Sequence, residues 1–113
     1  MRPVGLTDPA LADIDDIIES SVRDFGISAA LRYEGLIDAA LAAIAADDND
    51  VGIRRSTETH GVCWYHLRSA KALVPPGEQV GNPRHILLFR AHGDAIIVFR
   101  VLHDAMDLSA HLR

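Results

Sequence analysis

The strongest constraint in this sequence is a change of hydrophobic period near residue 50. Up to that point apolar residues return every three or four positions, as on one face of an α-helix; beyond it they gather into short β-branched and aromatic runs. The first pattern begins after "TDPA", which reads as a helix start with Asp8 as N-cap and Pro9 at the first helical position. Leu11, Ile14, Ile17, Ile18, Val22 and Phe25 then form one stripe, with Asp13, Asp15, Asp16 and Glu19 mainly on the other faces. Gly26 breaks the stripe as a C-terminal cap, and Ser28 is placed to cap a second helix. That helix carries Leu31, Leu36, Ile37, Ala40, Leu41 and Ile44 and ends at "DDND", 47–50. So short a connection predicts an antiparallel pair.

The second pattern predicts strands at "GVCWYHL" (61–67), "HILLFR" (85–90) and "AIIVFRVL" (95–102), the last two joined as a hairpin by the "AHGD" turn. The near-continuous hydrophobicity of 95–102 predicts a central strand. Trp64 and Tyr65 are neighbours on a strand and point to opposite faces, and Cys63 reads as a small buried hydrophobe. "MRPVGLT" reads as a short first strand in which Pro3 takes an edge or entering position. Residues 68–84, with three of the five prolines, read as a long surface connection and the most flexible segment. Asp104 to Leu112 reads as a short closing helix. The expected order is β-α-α-β-β-β plus that helix: an α+β fold, a helical hairpin on a small, mainly antiparallel sheet, in one domain over 1–113.

Composition narrows the functional classes. With 49% hydrophobic and 24% charged residues the 113-residue chain is an ordinary globular one, and no apolar run approaches the ~20 residues of a membrane span. The N-terminus shows no secretory h-region, so a cytoplasmic location is expected. There is no Gly-rich phosphate loop, no metal-ligand spacing and no nucleophile elbow, so neither cofactor nor metal is expected. The net charge of −5 is uneven. Residues 1–50 hold three arginines against eleven carboxylates; residues 51–113 hold eight Lys and Arg against five carboxylates, and all six histidines. That second half offers the candidates for chemistry. His66, His85 and Arg90 are expected to share a sheet surface, where imidazoles suit acid–base work on an RNA 2′-hydroxyl and arginine suits a charged phosphate. The competing reading is a hydrogen-bonded sheet face that touches no RNA. Arg100, His103, Asp104 and Asp107 cluster where strand becomes helix, with an Arg100–Asp107 pair expected to dock the last segment.

Taken in order, "DPALADIDDIIESSVRDFG", "AALRYEGLIDAALAAIA", "RHILLFR" and "IIVFRVLHDAMDLSAHL" resemble the RelE/ParE superfamily of type II toxin–antitoxin toxins, the ParE (plasmid stabilisation) branch most closely. The matching positions are Phe25-Gly26, Tyr33, His85 with Phe89-Arg90, and Arg100 to His103 with Met106-Asp107; "AKALVPPGEQVGNP" departs from the pattern. The resemblance implies a toxin neutralised by a small, partly disordered, DNA-binding antitoxin seated between hairpin and sheet, with Leu11, Ile14, Ile18, Leu36 and Ala40 as contact residues. It implies DNA gyrase as target, reached by Arg100, His103, Asp107 and His111, with no direct nucleic-acid or membrane partner. The alternatives are a ribosome-dependent mRNA interferase using His66, His85, Arg90 and His103, or a non-toxic member of the fold. The acidic balance of the chain favours a protein target over a polyanion.

Overall fold

A computed structural model of the chain describes residues 2–46, 52–57 and 59–106. Strand β1 (Val4–Leu6) leads into helices α1 (Asp8–Phe25) and α2 (Ile27–Ala46). Strands β2 (Ile53–Arg55), β3 (Val62–His66), β4 (His85–His92) and β5 (Ala95–His103) complete one sheet of order β1-β5-β4-β3-β2. The first pairing is parallel and the other three are antiparallel. This is the expected α+β arrangement of a helical hairpin on a small sheet. Among the described residues no helix is long and apolar enough to cross a membrane. The closing helix expected at 104–112 lies mostly outside the described residues, which end in a turn at Asp104–Met106.

The start of α1 differs from expectation by one residue, for a reason that organises the fold. Thr7, not Asp8, is the N-cap: its backbone is extended (φ −71°, ψ 162°) and its hydroxyl oxygen accepts from Ala10 N–H at 3.2 Å. The same hydroxyl donates to the Phe99 carbonyl at 3.0 Å, and Thr7 N–H donates to the Val98 carbonyl at 3.1 Å. Strand β1 has ended at Leu6, so one edge of β5 would lose its partner here; Thr7 continues the pairing while opening the helix. Asp8 instead falls in the first turn, where its charge suits the helix dipole.

At the other end Gly26 takes φ 90°, a conformation side chains disfavour, and its N–H closes on the Val22 carbonyl. Its own carbonyl accepts from Ala30 N–H, so α2 begins at Ile27 and Ser28 lies inside the helix, not at its cap. Helix α2 runs back to the first strand, where Arg2 N–H donates to the Ala45 carbonyl at 3.0 Å. The buried face of the hairpin is narrower than the apolar stripes. Ile17, Tyr33, Leu36, Ile37, Ala40 and Ile44 are buried against Tyr65, Leu87, Phe89, Val98 and Val101 of the sheet. Leu11, Val22, Phe25 and Leu31 are exposed instead.

The sheet's second face carries a smaller cluster, Val62, Ile86, Leu88 and Leu102, flanked by Trp64 and Phe99. Tyr65 lies under the helices and Trp64 on this outer face, as the alternation requires, and Cys63 is buried. Strand β5 has neighbours on both sides, which accounts for its unbroken apolar run. Its hairpin turns through Gly93 and Asp94, with Gly93 at φ 60° in the first central position of a tight turn.

Two expectations are corrected here. A fifth strand, β2, was absent from the expected order; three residues with two arginines carry too little pattern to announce it. Segment 68–84 is not simply a surface connection either, because Leu67–Leu73 forms a 3-10 helix that buries Leu67 and Ala70 and is followed by buried Val74.

The hairpin is pinned to the sheet by Asp13. One carboxylate oxygen accepts from Arg100 Nε at 2.7 Å and from Val101 N–H at 2.8 Å; the other accepts from Arg100 Nη2 at 3.0 Å. Arg100 follows a bulge in which Phe99 is the extra residue, between the pairs Phe89–Val98 and Leu88–Arg100. Arg100 thus pairs with Asp13, a partner the sequence did not suggest; the Asp107 of the expected Arg100–Asp107 pair lies outside the described residues. Replacing Asp13 with alanine strands a strand N–H and a half-buried guanidinium. The expected cost is about 1.5–3 kcal/mol of folding stability, read as a lower midpoint in chemical denaturation.

Candidate functional site: a groove closed by a tyrosine–histidine network

A concavity of about 820 Å³ lies between the tip of the helical hairpin and the end of the sheet. Helix α1 contributes Ile17, Ser20, Ser21, Asp24 and Phe25; α2 contributes Ala29, Arg32 and Tyr33. Residues 79–82 and Arg84 form one wall, and His85 and His103 line the sheet end. A shallower hollow of about 260 Å³ shares Ile17, Ser20, His85 and His103 and extends to Asp13, Arg100 and Met106. The two imidazoles thus stand between both concavities.

Strand register brings them together. His85 and His103 are direct cross-strand partners on β4 and β5, with ring centroids 5.3 Å apart in an edge-to-face arrangement. Helix α2 adds Tyr33, whose ring meets His85 edge to face at 5.4 Å. The Tyr33 hydroxyl accepts from Arg84 N–H at 3.1 Å, and its own hydrogen has His85 Nδ1 as its acceptor at 2.5 Å. His103 Nδ1 accepts from Ala105 N–H at 3.1 Å. Ala105 N–H puts the His103 hydrogen on Nε2, and the Tyr33 hydroxyl, which already accepts from Arg84 N–H, is satisfied as a donor when His85 carries its hydrogen on Nε2 as well.

Beside this pair lies a second network. His66 is only 4% exposed. Its Nδ1 accepts from Arg68 N–H at 3.0 Å, so Nε2 carries the hydrogen and donates to Asp104 Oδ2 at 2.9 Å. Asp104 Oδ1 receives Arg84 Nε at 3.0 Å and Nη2 at 2.9 Å, and Asp104 N–H returns a bond to the Arg84 carbonyl. One carboxylate thus ties the end of β3, the start of β4 and the chain leaving β5. The hydrogen bond from His66 holds the Asp104 carboxyl below its usual range, with Arg84 acting the same way and burial opposing both. Burial above all, then the neighbouring His103, pushes His85 down to about 4. Burial also raises the Tyr33 phenol, against the hydrogen bond from Arg84 N–H.

The expected residues fall into separate places. His66 lies on the outer face beside Ile86, whereas His85 faces Tyr33 and the helices, so the expected shared surface of His66, His85 and Arg90 does not form. Arg90 is at the far end of β3, opposite Val62, and stacks its guanidinium 4.8 Å over the Phe99 ring. Of the four nuclease candidates, only His85 and His103 share the groove. Leu36 and Ala40 are fully buried in the core; Ile14 and Ile18 pack partly against it, and Leu11 is 45% exposed. Arg100 is committed to Asp13, and Asp107 and His111 lie outside the described residues. Tyr33 and Arg84 were missing from the expected site; Asp104 was expected in the cluster at the end of β5, but its partners His66 and Arg84 were not. Tyr33 gave a usable signal, the one aromatic residue in an otherwise aliphatic and alanine-rich helical stripe. Arg84 gave none, because a charged residue at a strand end looks the same whether paired or solvated. Among the described residues no group of three or more His, Cys, Asp or Glu side chains is placed to hold a metal ion.

Comparison with solved structures places the fold beside one titled "Chromosomal ParDE TA system from P. aeruginosa". The TM-score is 0.65 at 22% identity, covering 91% of this chain and 96% of the other. At that identity the likeness speaks for the architecture alone. No curated protein sequence matches. The family model described as "ParE toxin of type II toxin-antitoxin system, parDE" matches residues 4–108. The chain belongs to the ParE toxin family.

Two measurements test the network. In imidazole ¹H–¹⁵N correlation spectra above pH 7, His66, His85 and His103 are expected as Nε2–H tautomers; an Nδ1–H signal from any of them contradicts the donor assignments. The second is stability against pH. Since folding lowers the pKa of His85 from 6.5 to about 4, the unfolded chain binds a proton in that window that the folded chain refuses. Stability therefore falls as pH drops from 6.5 toward 4, and His85→Gln flattens that slope in urea midpoints. Asp104 acts lower, its contribution being lost as pH falls through its depressed folded value.

Proposed function

We propose that this ParE-family chain is the toxin of a type II module, that it acts by binding DNA gyrase without cutting RNA, and that a small antitoxin neutralises it in the cytoplasm. The observation that carries the choice of target is the state of the imidazoles. Transcript cleavage needs a ring nitrogen open to take the 2′-hydroxyl proton, a second group to protonate the leaving oxygen, and cations around the phosphate. Here Nδ1 of His66, His85 and His103 is filled by Arg68 N–H, the Tyr33 hydroxyl and Ala105 N–H. Arg90 faces the other side of the sheet over Phe99, and Arg84 is engaged by Asp104. The acidic balance of the chain supports the same reading, since a polyanion would approach it against charge.

In this proposal the antitoxin lies along the hairpin and into the groove. Leu11, Ile14 and Ile18 offer it apolar contact, while Leu36 and Ala40 support the surface from beneath. The end of β5 and the segment beyond it, with His103, Asp107 and His111, are the proposed contact with gyrase. Arg100 serves it indirectly by anchoring β5 to α1.

Expression of the chain alone is expected to arrest growth, and the purified chain to inhibit supercoiling by purified gyrase, with relief by the antitoxin. Transcripts cut on translating ribosomes with gyrase unaffected overturn the proposal in favour of an mRNA interferase. Normal growth with gyrase unaffected overturns it in favour of a non-toxic member of the family.

A further inference from the structure

The groove has an uneven chemistry. Its sheet end is rich in hydrogen-bond donors. With both Nδ1 atoms occupied, His85 and His103 have Nε2–H as their remaining polar group, and Arg32 stands on the adjoining wall. Its opposite end is apolar. Phe25 is 77% exposed at the hairpin tip, and Ile27 at 68% and Leu31 at 62% continue the patch onto α2. Large side chains so exposed on neighbouring turns mark a surface that another polypeptide covers.

From this polarity we infer that the groove recognises an acidic side chain on its polypeptide partner. A carboxylate of the partner meets the His85–His103 end while an apolar residue one or two helical turns away seats on Phe25. The occupant is the antitoxin, so the inference rests on the functional reading above and names what the antitoxin must carry. An Asp or Glu suits the site because a carboxylate only accepts hydrogen bonds and the sheet end mainly donates them. A nucleic acid fits the same surface poorly. Asp24 stands on the rim beside Phe25, the exposed face of α1 adds Asp15, Asp16 and Glu19, and repeated phosphates would meet these together with the few donors. A single carboxylate in a neutral or weakly charged segment would not.

The test uses the full chain and a display library of random 16-residue peptides. The expected outcome is enrichment of peptides that share an Asp or Glu at a fixed spacing from a large apolar residue. For the most enriched peptide, made synthetically, changing that acid to its amide is expected to weaken binding at least tenfold by fluorescence anisotropy. On the protein side, His103→Phe keeps a ring but removes the Nε2–H donor, and is expected to erase the preference for acid over amide. Phe25→Ser, at an exposed position, is expected to weaken acid and amide peptides alike. Enriched peptides without a shared acid, an amide change worth less than twofold, or no enrichment overturn the inference. So does displacement of the peptides by a 5′-phosphorylated RNA oligonucleotide. Growth arrest and gyrase inhibition are read separately, so a chain that passes those assays while showing no acid preference refutes this inference alone.

Discussion

The open edge of β5 is the constraint on which the structure depends. Parallel strand β1 covers only Ile96 to Val98, yet β5 runs on to His103. Strand groups left bare beside a helix have to be satisfied. Thr7 takes the Val98 and Phe99 carbonyls, and Asp13, nearly two turns into α1, takes Val101 N–H. The N-cap residue and one side chain of α1 thereby act as the missing strand. Their spacing fixes both the height and the rotation of α1 over the sheet, and α2 follows because Gly26 allows a single-residue reversal. The groove exists because α1, held at this edge, carries its far end past the sheet, so that Phe25 and His85 line the same concavity.

The polar network at the sheet end solves a related problem. Strands β3, β4 and β5 all terminate there, and the chain must leave β5 through a surface already occupied by His66 and Arg84. Asp104 answers to both and so fixes the turn at Asp104–Met106. His66, His85 and His103 serve as shape-holding groups: each is engaged at Nδ1 by a backbone N–H or a phenol. A burial-lowered His85 stays neutral at physiological pH, and a neutral ring can accept the Tyr33 hydrogen without a charge inside the domain.

Much of the architecture was legible because it is written in periodicity. The stripe from Ile14 to Ile44, the Trp64/Tyr65 alternation and the apolar run of β5 each state an element and its buried side. What escaped notice was carried by single polar contacts. Thr7 outcompeted Asp8 as N-cap because its hydroxyl also reached Phe99, a residue 92 positions away. Asp13 looked like one more solvated acid in an acidic helix, and Arg100 looked like the natural mate of a nearby aspartate. Register decided the histidines: one residue of offset puts His85 under the helices and His66 on the outer face beside Ile86. The exposure of Phe25 and Leu31 was likewise hidden, since a stripe says which side chains are apolar but not how far the sheet extends beneath them.

The charge asymmetry between the halves takes on a different meaning once these pairs are known. Taken alone, a basic half would offer a surface to an anionic partner. Yet Arg100 is neutralised by Asp13 of the acidic half, and Arg84 by Asp104, so two of the eight cations are spent on internal geometry. A third, Arg90, lies over an aromatic ring on the outer face. The potential near the groove is therefore set by a small number of oriented donors and not by a dense field of charge. Donors of that kind act over hydrogen-bond distances, where position matters more than net charge, whereas polyanion binding draws on many phosphate contacts at once. In the proposed role, such a surface would discriminate between side chains of a partner protein and gain little from the repeated charge of a nucleic acid.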